Sequence, residues 1–170
     1  MGEIKFALGG VERLRQGLEA LVKIENLLPG TAYRVFKLDK KIGEAYQQFI
    51  KQRNDILDKY GAYSVAIADK GTYVLDKTAQ PPVWKNGSEE LTEIPKEYLP
   101  LVIWTAKDDQ AMAAANTELK SLTETEEVIS EPAIKLSLLK TVGKNGERLD
   151  VAMSPILAAM LDELIEDDLA

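Results

Sequence analysis

Clustered carboxylates are the residues of this 170-residue chain that most resemble a reaction or metal site. Paired acids can transfer protons or bind a divalent cation when they converge in a cleft. Acids that are neighbours along a helix usually form a solvated face instead. We interpret the clusters as solvent-exposed side chains with a structural or solubilising role. A divalent-metal enzyme whose ligands are all carboxylates is a minor alternative. The clusters are Asp108 with Asp109, Glu124 with Glu126 and Glu127, and Asp162 with Glu163, Glu166, Asp167 and Asp168.

Two further motifs could carry chemistry but have simpler explanations. Ser154 could be a nucleophile with Lys140 or Lys144 as its base. Its place directly before Pro155 is typical of a helix N-cap followed by a first-turn proline. The loop "GKNGER" lacks the longer glycine spacing and the Lys-Ser or Lys-Thr end of a phosphate-binding loop, so it predicts a β-turn.

Composition excludes several classes of function. The chain has no cysteine and no histidine, which removes disulfides, thiolate nucleophiles and imidazole ligands or bases. We therefore predict no catalytic residue, no metal ligand and no cofactor, and expect that the protein is not an enzyme. The net charge of −7 opposes attraction to phosphate backbones, so nucleic acid is not an expected partner. We also expect no membrane span and no signal peptide, because the apolar runs are short and the first residues are acidic and interrupted.

A first helix is predicted from Val11 to Leu28, where apolar residues recur at spacings of three and four. Gly17 lies inside it and costs about 1 kcal/mol relative to alanine, so compensating packing or a close neighbour is expected there. Pro29 and Gly30 are expected to end this helix.

The second helix is predicted to be long, with Thr31 as its N-cap and a left-handed Gly61 just after its end. The short connection makes the two helices antiparallel neighbours. Because about 30 residues span roughly 45 Å, the second helix must project beyond the first, and either the rest of the domain or another subunit must cover it. Aromatic residues such as Tyr33 and Phe36 are interpreted mainly as core. Trp84 lies in a loop-like stretch, where it either packs against the chain or is exposed as an interface anchor. The candidate interface is Ile42, Tyr46, Phe49, Arg53, Ile56, Tyr60 and Trp84.

The remaining chain predicts a small sheet and two more helices. Strands are expected near Tyr63 to Ala68 and Thr72 to Leu75, joined at Gly71, and a proline-rich excursion or hairpin tip follows. "LPLVIWTA" predicts a strand, Asp108 to Thr123 a helix, "ETEEVISEPAIKLSLLKTV" one or two strands, and Ser154-Pro155 the start of a closing helix. The expected class is α+β: an N-terminal antiparallel helical hairpin with one long helix, a small mainly antiparallel sheet and a closing C-terminal helix. Residues 1–61 form the hairpin and 62–170 the α+β portion of one continuous domain.

The order of these parts resembles a family. "LLPG", "KQRNDILDKYG" and "SPILAAMLDELIED" are similar to segments of small proteins of unknown function encoded by tailed bacteriophages. The likeness covers residues 14–61 and, more loosely, 125–166, and this chain departs from it in its longer middle part. No activity is known for the family, so no catalytic residue is transferred. The resemblance implies a location in the cytoplasm of a bacterial host or in a virion.

These observations favour a non-enzymatic interaction or structural protein of phage origin. It is expected to self-associate, or to dock onto other phage proteins, through the long helix in a virion or assembly complex. The alternative is a small regulatory or host-targeting protein that binds a bacterial enzyme.

Overall fold

The computed structural model describes residues Gly2–Asp168 and has the mixed α+β architecture that the sequence predicts. Its helices are α1 (Val11–Val22), α2 (Pro29–Tyr60), α3 (Asp109–Glu124) and α4 (Pro155–Met160). Its strands are β1 (Ile4–Ala7), β2 (Gly61–Ile67), β3 (Gly71–Asp76), β4 (Val83–Asn86), β5 (Glu89–Leu91), β6 (Ile103–Ala106), β7 (Glu126–Ile129), β8 (Ile134–Lys135), β9 (Lys140–Val142), β10 (Arg148–Asp150) and β11 (Ile165–Glu166).

The chain forms two compact units whose boundaries differ from the expected division after Gly61. The first unit contains the described residues up to Lys51 and from Ser121 onward, and the second contains Gln52–Lys120. One boundary lies inside α2 and the other inside α3. Because each helix continues across its boundary, the amino-acid composition of the chain does not indicate where the units divide.

The first unit is built around the antiparallel helical hairpin. The guanidinium of Arg15 in α1 lies 4.8 Å from the ring centroid of Tyr46 in α2. The apolar stripes of the two helices are buried, and short strand pairs complete the unit: β1 with β7 and β9 with β10, both antiparallel, and β8 with β11, parallel. The fully or almost fully buried helix residues are Val11, Leu14, Leu18, Leu21, Val35, Leu38 and Ile42.

The closing helix begins as the sequence predicts. Ser154 is the N-cap of α4, and its Oγ accepts a hydrogen bond from the backbone N–H of Leu157 (3.2 Å). The helix ends at Met160, and the chain then buries Leu161 and Leu164. The carbonyl of Leu164 accepts from the N–H of Ile134 (2.8 Å), which brings this segment beside β8.

The second unit contains the expected antiparallel sheet, with strand order β5-β4-β3-β2-β6. The predicted hairpin joins β2 to β3, and Gly71 takes a φ of +94°, which favours glycine. One face of this sheet carries Val65, Ile67 and Tyr73, which are buried with Ile94 and form the core of the unit. The proline-rich stretch supplies β4 and β5, so the hairpin interpretation of that stretch is confirmed.

Three details of the hairpin prediction are wrong. The first helix ends at Val22: the N–H of Ile24 donates to the carbonyl of Leu21 (3.0 Å), three residues back, and Asn26 beyond it takes a left-handed φ of 62°. Thr31 is not an N-cap, since α2 begins at Pro29 and the Thr31 hydroxyl donates to the Leu138 carbonyl (2.6 Å). Gly61 does not take a positive φ but is the first residue of β2.

Candidate functional site

The seven predicted interface residues do not form an open surface. Ile42 is 0% exposed and Phe49 is 9% exposed, so both belong to the core of their own unit, which corrects their assignment to an interface. The other five side chains are half-buried: Tyr46, Arg53, Ile56, Tyr60 and Trp84. The long helix is unbroken, as predicted, but no large apolar side chain between Ile42 and Tyr60 is among the exposed ones.

Contacts within the chain explain why these residues are covered. Arg15 lies over Tyr46, and the Tyr60 hydroxyl donates to the Glu118 carboxylate (2.5 Å). Trp84 was expected in a loop, but it lies in β4 opposite Leu91 and packs against the core of the second unit. Packing of the chain on itself therefore accounts for most of the predicted stripe.

The exposed apolar side chains of the hairpin lie instead at the N-terminal end of α2. Tyr33 and Phe36 are each 62% exposed, and Val22 at the end of α1 is 53% exposed. The interpretation of Tyr33 and Phe36 as core is therefore wrong. Their helical phase shows why: they point well away from the buried face that Val35 and Leu38 define, since successive residues turn by about 100°.

A pocket opens beside these side chains, with a volume of about 350 Å³. It lies between the end of α1, the connector and the first turns of α2. The connector is held beside β9 by a hydrogen bond from the N–H of Val142 to the carbonyl of Asn26 (2.8 Å), and it forms part of the pocket wall. The pocket is lined by Val22, Ile24, Asn26, Leu27, Ala32, Val35, Phe36 and Asp39.

Charged groups stand at the edge of this pocket. Asp39 is half-buried, and within Gly2–Asp168 its carboxylate has no ion pair or hydrogen bond. Lys40 is exposed and likewise has no ion pair in the described part of the chain. A carboxylate that is partly removed from water without a partner is less well solvated than a free one, so a cationic group arriving there would be attracted.

Several of the side chains singled out for chemistry have structural partners. The Asp108 carboxylate accepts from the N–H of Ala111 (2.7 Å) at the start of α3, and Asp168 accepts from the N–H and hydroxyl of Ser137 (2.9 and 2.6 Å). Glu163 pairs with Arg13. Within residues 2–168, no group of three or more carboxylates is arranged to hold a metal ion, and no helix there is long and apolar enough to cross a membrane.

The "GKNGER" loop is the turn between β9 and β10, as predicted. The N–H of Gly146 donates to the carbonyl of Gly143 (3.0 Å), and the N–H of Gly143 donates to the carbonyl of Glu147 (2.8 Å). The Glu147 carboxylate accepts from the N–H of Asn145 (2.9 Å), so the turn is satisfied internally.

Ion pairs in the second unit predict that it loses stability in acid. Hydrogen bonds from Lys85 and Thr78 hold the pKa of Asp76 below its usual value, and hydrogen bonds from Lys59 and Tyr60 lower the pKa of Glu118. A carboxylate whose folded pKa is depressed stabilises the fold above its unfolded pKa, and that contribution disappears as the pH falls through the folded pKa. We expect the urea midpoint to fall as the pH is lowered below about 4.

Tryptophan fluorescence measures this effect, because both tryptophans, Trp84 and Trp104, lie in the second unit. In the Asp76→Asn variant, the urea midpoint should fall less steeply as the pH is lowered. If the midpoint falls equally steeply with pH in the wild type and in this variant, the role given to Asp76 is contradicted.

Comparison of the chain with protein-family models, with curated proteins and with solved structures found no significant match. The resemblance to phage-encoded proteins therefore stays a prediction, and the function must be argued from the surface itself.

Proposed function

We propose that this is a non-enzymatic interaction protein that self-associates through the N-terminal half of α2. The observation that carries the proposal is that the exposed apolar side chains Val22 and Phe36 line the open pocket, with the exposed Tyr33 one turn before Phe36 in α2. Exposed apolar side chains grouped beside a pocket and edged by charges are typical of protein–protein interfaces. We call this group and the pocket beside it the hairpin patch.

A second copy of the chain suits the hairpin patch because the patch carries both halves of a contact. Phe36 is a large apolar side chain that can enter the pocket of another copy, and Lys40 is an unpaired cation that can approach the unpaired Asp39 of that copy. A two-fold contact requires this kind of self-complementary surface. The proposal keeps the long helix as the docking element but moves the contact to its other end.

The proposal extends to a structural or assembly role in a phage particle, which rests only on the sequence resemblance. Docking of the same patch onto a bacterial enzyme is the alternative. The two differ in whether the isolated protein associates with itself.

Phe36→Glu is expected to weaken self-association by roughly tenfold or more, because it places a charge where an apolar side chain would be buried. Size-exclusion chromatography with light scattering, over a concentration series from low to high micromolar, measures the effect. Ile156→Glu is the matched control, since Ile156 is an exposed apolar residue of the same unit (70%) that does not line the pocket.

A charge exchange tests the orientation of the contact. Asp39→Lys should weaken association by repulsion from Lys40 of the other copy, and adding Lys40→Asp should restore it. A wild-type protein that stays monomeric throughout the series, or a Phe36→Glu variant that associates as the control does, would overturn the proposal.

A further inference from the structure

A second groove lies in the first unit, between one face of α2 and the strand β7, with a volume of about 460 Å³. Its helical wall is formed by Lys41, Glu44, Ala45 and Gln48, which share one side of α2. Its other wall is formed by the consecutive residues Glu127, Val128, Ile129, Ser130 and Glu131. The first three of these belong to β7, and because consecutive strand residues point to opposite faces, a cavity that touches all three runs along the edge of the strand.

The hydrogen-bonding pattern of the β1–β7 ladder shows that this edge of β7 carries backbone N–H and C=O groups that do not bond to β1. Among residues 2–168, β7 pairs only with β1, and the N–H of Leu8 donates to the carbonyl of Thr125 (2.9 Å), one step beyond the last pair of the ladder. In an antiparallel pair, hydrogen-bonded and non-hydrogen-bonded residues alternate. The N–H and C=O groups of Glu126 and Val128 therefore point away from β1. Val128 is also 43% exposed, so this edge is open.

The charges in the groove select the kind of occupant. One lysine and three glutamates line it, and the lysine, Lys41, lies 3.6 Å from the Glu44 carboxylate. Glu131 pairs with Lys37 (3.2 Å). Glu127 has no ion pair or hydrogen bond within the part of the chain that the structure describes. The unbalanced charge of the groove is therefore negative, and the net charge of −7 adds to the attraction for a basic segment.

We propose that this groove binds an extended, lysine- or arginine-containing segment of another protein, which adds a strand to the free edge of β7. Backbone hydrogen bonds to Val128 would hold the segment, and Glu127 would select its basic side chains. Strand addition at an open sheet edge is a general mode of peptide recognition. This site is separate from the hairpin patch, and the inference does not depend on self-association.

The test uses a fluorescein-labelled peptide of alternating lysine and threonine and measures its anisotropy on titration with the full-length protein. The matched peptide of alternating glutamate and threonine should not bind. Binding of the lysine peptide should weaken as salt is added, because the attraction is partly between exposed charges.

Val128→Pro removes an outward N–H without removing a hydrogen bond of the β1–β7 ladder, and should weaken binding by roughly tenfold or more. Lys5→Pro is the matched control, since Lys5 is the partner of Val128 in the register and its N–H points to the opposite free edge. It introduces the same residue at the paired position and should leave the dissociation constant unchanged.

Glu127→Lys provides a second variant that does not alter the backbone, and it should abolish the preference for the lysine peptide over the glutamate peptide. For the wild type, the amide of Val128 should gain protection from hydrogen exchange when the lysine peptide is added. The inference is overturned if the lysine peptide fails to bind at millimolar concentration, if both proline variants weaken binding equally, or if the Val128 amide gains no protection.

Discussion

Replacing Gly61 by alanine is expected to lower the free energy of unfolding of the second unit by about 3 kcal/mol. A β-carbon at this position would lie 2.3 Å from the carbonyl oxygen of Thr105 and 2.6 Å from the ring of Trp104. The first contact is with backbone of the neighbouring strand, which cannot move without disturbing the pairing of β2 with β6. Trp104 is also held, because its Nε1 donates to the carbonyl of Leu57 at the end of α2 (2.9 Å).

Urea denaturation followed by tryptophan fluorescence measures the effect, since both tryptophans report on this unit. Ala66→Val is the matched control. Ala66 is exposed in the same strand, so the added methyl groups should change the stability by less than about 0.5 kcal/mol. Equal urea midpoints for Gly61→Ala and the wild type would contradict this prediction, because they would show that β2 and β6 can move apart at Gly61 without loss of stability.

Gly61 also shows where sequence reasoning reaches its limit. The glycine after a helix end suggested a left-handed terminal residue, which is the commonest local reason for a glycine there. The actual reason is the close approach of Trp104 and Thr105, which are brought there by strand pairing. The residues near the end of the helix contain no signal for the contact with Trp104 and Thr105.

Elements specified by local rules could be predicted. The long apolar periodicity of α2, the turn before Gly71 and the Ser154-Pro155 helix start each depend on residues a few positions apart. The α+β class and the antiparallel sheet follow from such elements in sequence, and both are confirmed.

Features decided by distant pairing could not be predicted. The connector after the first helix is hydrogen-bonded to β9, a strand that lies far along the chain, and it forms one wall of the pocket in the hairpin patch. Trp84 looked like a loop residue because prolines precede it, yet pairing with β3 and β5 turns it toward the core. The free edge of β7 can likewise be recognised only from the strand pairing, in which β1 is its sole partner among the described residues.

The candidate interface contained a different kind of error. The stripe from Ile42 to Tyr60 extends beyond the first helix, as predicted, since α2 has 32 residues and α1 has 12. Periodicity identifies the face that must be buried, but it does not say which part of the molecule buries it. The residues off the stripe, Tyr33 and Phe36, were the better indicators of an exposed surface.

Gly17 offers the second large effect, because here the close neighbour expected from the sequence is present. A β-carbon on Gly17 would lie 2.7 Å from Cδ2 and 2.9 Å from Cγ of Leu161, and 3.1 Å from Cβ of Met160. Leu161 is fully buried, and Arg13, one turn earlier in α1, binds the Ala159 carbonyl (3.0 Å), so this segment is held against the helix. Gly17→Leu should therefore lower the free energy of unfolding of the first unit by about 3 kcal/mol.

Gly43→Ala is the matched control for this variant. Gly43 also lies inside a helix, α2, but a β-carbon there would meet no atom of the described residues within 4 Å. Alanine should raise the stability by roughly 0.5–1 kcal/mol, because glycine loses more backbone entropy in a helix. Amide hydrogen exchange in α1, together with the thermal midpoint from circular dichroism, measures both variants. If Gly17→Leu stabilises the protein as Gly43→Ala does, then α1 and the segment around Leu161 are not packed together in solution, and the first unit lacks the core described for it.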